Sequence, residues 1–181
     1  MPDKTPPFET LVDYITGKTV PNIGVEEIRQ NLERFLVEKK GYQKSDIMVN
    51  FDVEIDIAGS VYLSQLDLVV SVEDKRFMVI KCAAGSLESR QREVLSAARI
   101  ADDFPIPYAV ASDGKIAVIY DVVSGKKTGA SLSRILSRKE ATERLNTLKP
   151  IEISKKRREK EKLIFRSYDS MNVNVFRKIR K

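Results

Sequence analysis

Apolar positions along the chain change period several times, and each change marks an element. In "VEEIRQNLERFLVEKKGY", Val25, Ile28, Leu32, Phe35 and Leu36 recur at helical spacing. Glu26 and Glu27 suit the first turn of that helix, Lys39 and Lys40 its last, and Gly41 ends it. "IMVNFDVEIDI" then alternates apolar and polar residues, as a strand with one wet face does. "VYLSQLDLVVSV" and "RFMVIKCA" are more continuously apolar, as strands near the middle of a sheet are. "SLESRQREVLSAARIADDF" returns to helical spacing, with Val94, Leu95, Ala98 and Ala101 inward. "PYAVASDGKIAVIYDVVSGKK" predicts two strands joined at Asp113-Gly114, a strong tight-turn signal.

The flanks are simpler. "LVDYITGK" reads as a short helix ended by Gly17, and "SLSRILSRKEATERLNTL" as a helix closed by Pro150. "ISKKRREKEKLIFRSYDSM" predicts a last helix with Leu163, Ile164 and Phe165 available for docking. The order of helix, three strands, helix and two strands points to an α/β sandwich around a mixed sheet. We expect one such domain over residues 1–130 and a basic helical extension over 131–181.

Composition narrows the chemistry. The 181 residues contain no histidine and one cysteine, Cys82. Histidine-assisted nucleophiles, histidine zinc sites, cysteine-cluster metal sites and internal disulfides are therefore excluded. Any metal would need carboxylates, which favours magnesium, manganese or calcium. Cys82 itself reads as a small core residue. No apolar run would span a bilayer and the start carries no signal-peptide core, so a cytoplasmic protein is expected.

The net charge of +6 is unevenly placed. Residues 149–181 hold 12 Lys and Arg against 4 Asp and Glu, while the remainder holds 20 against 22. That basic segment suits a polyanion such as DNA, with Lys155, Lys156, Arg157, Arg158 and Lys160 as the candidate contacts. A plain solvated helix is the competing reading, since Glu is interleaved in "KKRREKEK".

Strand pairing bears on the central charges. If Glu73, Asp74 and Lys75 form a three-residue loop, Val72 pairs with Arg76 and Asp67 falls beside Lys81. A loop one residue shorter or longer would send Lys81 to the other face. Placing opposite charges side by side is the favourable choice. Ala83 then shares the face of Lys81, and Cys82 points away.

Through the helix "VEEIRQNLERFLVEKKGY", the strands "QLDLVV" and "FMVIKCAAG", the helix near "SRQREVLSAAR" and the hairpin "YAVASDGKIAVIYDVVSGK", over roughly residues 9–128, the chain resembles the N-terminal domain of the R subunit of type I restriction enzymes, in the PD-(D/E)xK nuclease superfamily. The resemblance implies a restriction-endonuclease-like mixed β-sheet flanked by helices. It also implies an Asp on one strand and Glu-x-Lys on the next, the carboxylates holding a divalent metal and the lysine helping to activate water. Carried over by position, Asp67 is the Asp, Gln91 the Gln of the second helix, and Glu27 or its neighbour Glu26 the acid of the first. Lys81 then stands where the Glu belongs, and Ala83 where the Lys belongs.

Exchanging Glu for Lys changes the local charge by two units and puts an ammonium where a cation would sit. The resemblance therefore implies a nuclease fold that binds DNA or serves in an assembly without catalysis, needing no cofactor. Homodimers or other restriction-modification subunits are possible partners. Two alternatives stay open. One is a magnesium-dependent endonuclease with a rearranged site: Glu88 and Glu93 flank Gln91, Glu54 and Asp56 lie on the preceding strand, and Asp67 with Glu88 is the set taken to hold the metal. The other is a scaffolding dimer that meets no nucleic acid. With no glycine-rich phosphate loop, the chain by itself is not an ATP-driven restriction subunit.

Overall fold

The computed structural model describes residues 8–169. Its centre is a six-stranded sheet in which strand order follows chain order, β3-β4-β5-β6-β7-β8. The strands are β3 (Ile47–Ile57), β4 (Ser60–Val72), β5 (Lys75–Cys82), β6 (Tyr108–Ser112), β7 (Ala117–Asp121) and β8 (Lys127–Gly129). All neighbours are antiparallel except β5 and β6, which run parallel. A parallel pair needs a crossover, and α2 (Gln91–Ile100) supplies it. The sheet is therefore mixed, as expected.

Side-chain alternation divides the core into two layers. On one face Leu68, Val70, Met78, Ile80 and Cys82 pack with Leu32 and Leu36 of α1 (Glu26–Glu38) and Ala141 of α3 (Arg138–Thr147). On the other, Val69, Val79 and Ala83 pack with Val94, Ala97 and Ala98 of α2. Phe165 of α4 (Lys155–Asp169) joins this second layer. The last helix is thus folded against the sheet domain, packing on α2. Residues 170–181, which carry part of the basic segment, lie outside the described residues.

The hairpin that aligns β4 with β5 reaches the expected pairing by another route. Its turn has two residues, Glu73 and Asp74, both with positive φ, and Val72 pairs with Lys75. Two positive φ values mark the turn whose twist suits an antiparallel ribbon. Alone, that turn would send Lys81 to the wrong face. A bulge after the Ser71–Arg76 pair restores Val70 opposite Met78 and Leu68 opposite Ile80. One shift corrects the other.

Two flanking expectations are corrected. Residues 11–18 are not helical: β1 (Thr10–Val12) and β2 (Thr19–Pro21) form a small hairpin. The Asp13 carboxylate accepts the backbone N–H groups of Ile15 and Thr16 and the Thr16 hydroxyl, a local turn that competes with helix. Helix α3 begins only at Arg138, capped reciprocally by Ser137 and Glu140, after Ile135 has been buried in extended conformation.

Candidate functional site

Asp67 and Lys81 meet on the α2 face of the sheet. The Lys81 Nζ lies 3.2 Å from Asp67 Oδ2 and 3.4 Å from Oδ1. Asp67 Oδ2 also accepts the backbone N–H of Cys82 at 2.7 Å, which fixes the carboxylate against β5. Glu93, on the first turn of α2, approaches the same ammonium from above, its Oε1 3.8 Å from Nζ. Its other oxygen takes Arg90 at 3.2 Å. Two carboxylates therefore face two cations, and the group is locally neutral.

Burial works against the charge on Lys81, yet the carboxylates of Asp67 and Glu93 outweigh it and hold its pKa above the ordinary lysine value. The ammonium stays charged at neutral pH. Around it is a cavity of about 20 Å³, lined in part by Val79, Val94, Phe165 and Asp169. That is room for roughly one water and no phosphodiester. The end of α4 helps close it, anchored by a 2.7 Å hydrogen bond that the Ser64 hydroxyl donates to Asp169.

The donor set does not suit a divalent cation. Such an ion needs converging carboxylate oxygens with no competing positive charge. Here the ammonium occupies the point of convergence, and Asp67 divides its oxygens between Lys81 and Cys82. Among the described residues, no three His, Cys, Asp or Glu side chains converge as metal ligands.

The other candidates lie apart. Gln91 turns away and donates to the Gly125 carbonyl at 3.3 Å. Glu88 is exposed and pairs with Lys127 at 3.1 Å. Glu27 is exposed on α1, which packs on the opposite face of the sheet from Lys81. Its neighbour Glu26 is held by Arg29 in a separate buried cluster with Asp13 and Glu33. Ala83 is buried on the Lys81 face, and Cys82 on the α1 face, where burial pushes its thiol pKa well up. Of the two acids flanking Gln91, sequence reasoning preferred Glu88, whereas Glu93 is the one that reaches Lys81. The signal was a carboxylate one helical turn before Ala97, on the stripe that reaches the sheet.

On α4, Lys155, Lys156, Arg157 and Lys160 are exposed. Arg158 is engaged instead, donating to the carbonyls of Ile100, Asp102 and Asp103 just past the end of α2. No helix among the described residues is long and apolar enough to cross a membrane.

A six-stranded mixed sheet flanked by helices is an α/β architecture consistent with a nuclease-like fold. Residues 25–135 match the family described as type I restriction enzyme R protein N terminus, and the chain belongs to that family. Among solved structures it is similar to a fragment assigned as an HsdR subunit of a type I restriction enzyme from Vibrio vulnificus YJ016. The TM-score is 0.53 at 16% identity, covering 67% of this chain and 25% of that one. At that identity the likeness is one of fold. No curated protein matches the chain.

Proposed function

We propose that this domain is a catalytically silent member of its family that contacts nucleic acid through the phosphate backbone without cutting it. The single observation that carries the silent half is the Lys81 ammonium, 3.2 Å from Asp67 and 3.8 Å from Glu93, in the seat a divalent ion would need. The small cavity of about 20 Å³ supports it, because with α4 docked it has room for roughly one water and not for a scissile phosphate. The binding half is supported by the exposed cations of α4 and by the restriction-subunit family to which the chain belongs.

Incubation with supercoiled and linear duplex DNA in magnesium or manganese tests the first half. Intact DNA is expected, and protein-dependent nicking would overturn it. Anisotropy titration of a labelled duplex across a salt series tests the second. Affinity should fall linearly on logarithmic axes, with a slope of about −0.9 for each phosphate neutralised. A salt-independent affinity, or none at low salt, would count against backbone contact.

One observation favours a second reading. Asp67, Glu93 and Lys81 together are two acids and a lysine converging within 4 Å. If the ammonium swings aside and α4 lifts, they make a rearranged magnesium-dependent site, with Glu93 in place of Glu88. Cleavage abolished by both Asp67→Ala and Glu93→Gln would establish it.

A further inference from the structure

Between α2 and the first half of α4 runs an open groove of about 430 Å³, separate from the Lys81 cavity. Arg92 and Arg99 line it from α2, and Lys156, Arg157 and Lys160 from α4. The one acid lining it among the described residues, Glu161, is buried in the floor and already taken by Arg99 at 2.8 Å and Arg157 at 3.5 Å. Arg99 is fixed further by donating to the Val122 carbonyl. The walls therefore present a surplus of positive charge on rigid elements.

The position of these cations makes little sense for helix stability. A helix N-terminus carries a partial positive charge and favours acids in its first turn. The first turn of α4 has none, and Lys155, Lys156, Arg157 and Arg158 crowd there. Arg158 is explained by the α2 carbonyls that it binds. Lys156 and Arg157 have no such internal role that would offset the repulsion, beyond the long contact from Arg157 to Glu161. An external anion along the groove would relieve it.

Resting on the nucleic-acid reading above, we infer that this groove seats one phosphodiester strand, with Arg92, Lys156, Arg157 and Lys160 as its phosphate contacts and the buried Arg99–Glu161 pair as its floor. Among the described residues, Leu95 and Ile164 are the apolar residues lining it, and no aromatic ring does. Bases then have no stacking platform, and recognition is of backbone charge without regard to sequence. The binding face lies on the outside of the helical layer, not in the cleft at Lys81.

The test compares two charge-matched triple variants of the whole chain by duplex anisotropy. Arg92→Glu, Lys156→Glu and Lys160→Glu together alter exposed groove positions. Lys18→Glu, Lys115→Glu and Lys139→Glu together alter exposed positions elsewhere. The groove variant should lose at least about tenfold in affinity at low salt and flatten the salt slope by roughly two to three. The control should keep most of both. Equal losses would overturn the groove while leaving phosphate binding intact, and failure of the unaltered chain to bind duplex would sink both readings. Inorganic tripolyphosphate added at equal phosphate should displace the duplex poorly. Displacement as good as that by unlabelled duplex would mean a small-polyanion pocket and overturn the strand path.

Discussion

Each face of the sheet sets basic side chains among carboxylates, and the two clusters differ in how they are balanced. On the α1 face Arg29 serves Asp13 at 2.7 Å, together with Glu26 and Glu33. That is one guanidinium for three acids, with Asp13 and Glu33 nearly sealed from water, and Glu33 Oε2 has no hydrogen-bond partner among the described residues. On the α2 face Lys81 and Arg90 answer Asp67 and Glu93 in equal number, at the edge of solvent. The first cluster ties the β1–β2 hairpin to α1 through Asp13. The second leaves Asp67 and Glu93 already paired with cations, as the proposed silent site requires. An acid of the first helix that the resemblance assigns to catalysis is thus spent on structure, across the sheet from Asp67.

The contrast predicts a graded set of losses. Arg29→Met should be the most damaging single change, because it leaves three carboxylates buried without a counter-charge; about 3–5 kcal/mol is expected. Urea unfolding would show it, and a loss below about 1 kcal/mol would mean that the cluster is not electrostatically strained. Lys81→Met should cost less, about 1–2 kcal/mol, since water, the Cys82 N–H and Arg90 still serve the two acids.

Glu33 gives the clusters different pH behaviour. Burial, aided by the charges of Asp13 and Glu26 and opposed by Arg29, raises its pKa from 4.5 to about 7. A raised carboxylate contributes stability that is complete below its unfolded value and lost as pH rises through its folded one. The protein should therefore lose on the order of 1–3 kcal/mol from this group between pH 4.5 and 7. Glu33→Gln should flatten that decline and be the more stable form at pH 8. Unfolding curves of both proteins across that window would show whether they converge in acid as expected. Smallest is Arg90→Gln, which breaks a partly exposed pair within one helical turn and should cost about 0.5 kcal/mol.

The parts of the molecule that were legible in the sequence are those governed by local period. Helices α1 and α2 and strands β3 to β7 announce themselves in apolar spacing, and the Asp67–Lys81 pair in the cost of separating opposite charges. The bulge that makes that pair possible was not legible, because it depends on a turn one residue shorter than the charge pattern suggested. The choice of Glu88 over Glu93 failed for a different reason. Helix α2 is covered by the sheet on one side and α4 on the other, so residues 93–100 are all buried, while Glu88 lies before the helix and stays exposed. The role of α4 was half visible: Phe165 docks as its apolar character suggested, but Leu163 stays exposed. At the N-terminus, Asp13 fulfils the local turn and the long-range tie to Arg29, and only the first has any mark in sequence.

Crystals soaked in manganese, with anomalous density inspected beside Asp67, put the neutralised site to the most direct test. Lys81 in the cation's seat predicts no peak between Asp67 and Glu93 and an ammonium still bridging them. A well-ordered manganese ion coordinated by those two carboxylates, with Lys81 displaced, would contradict it.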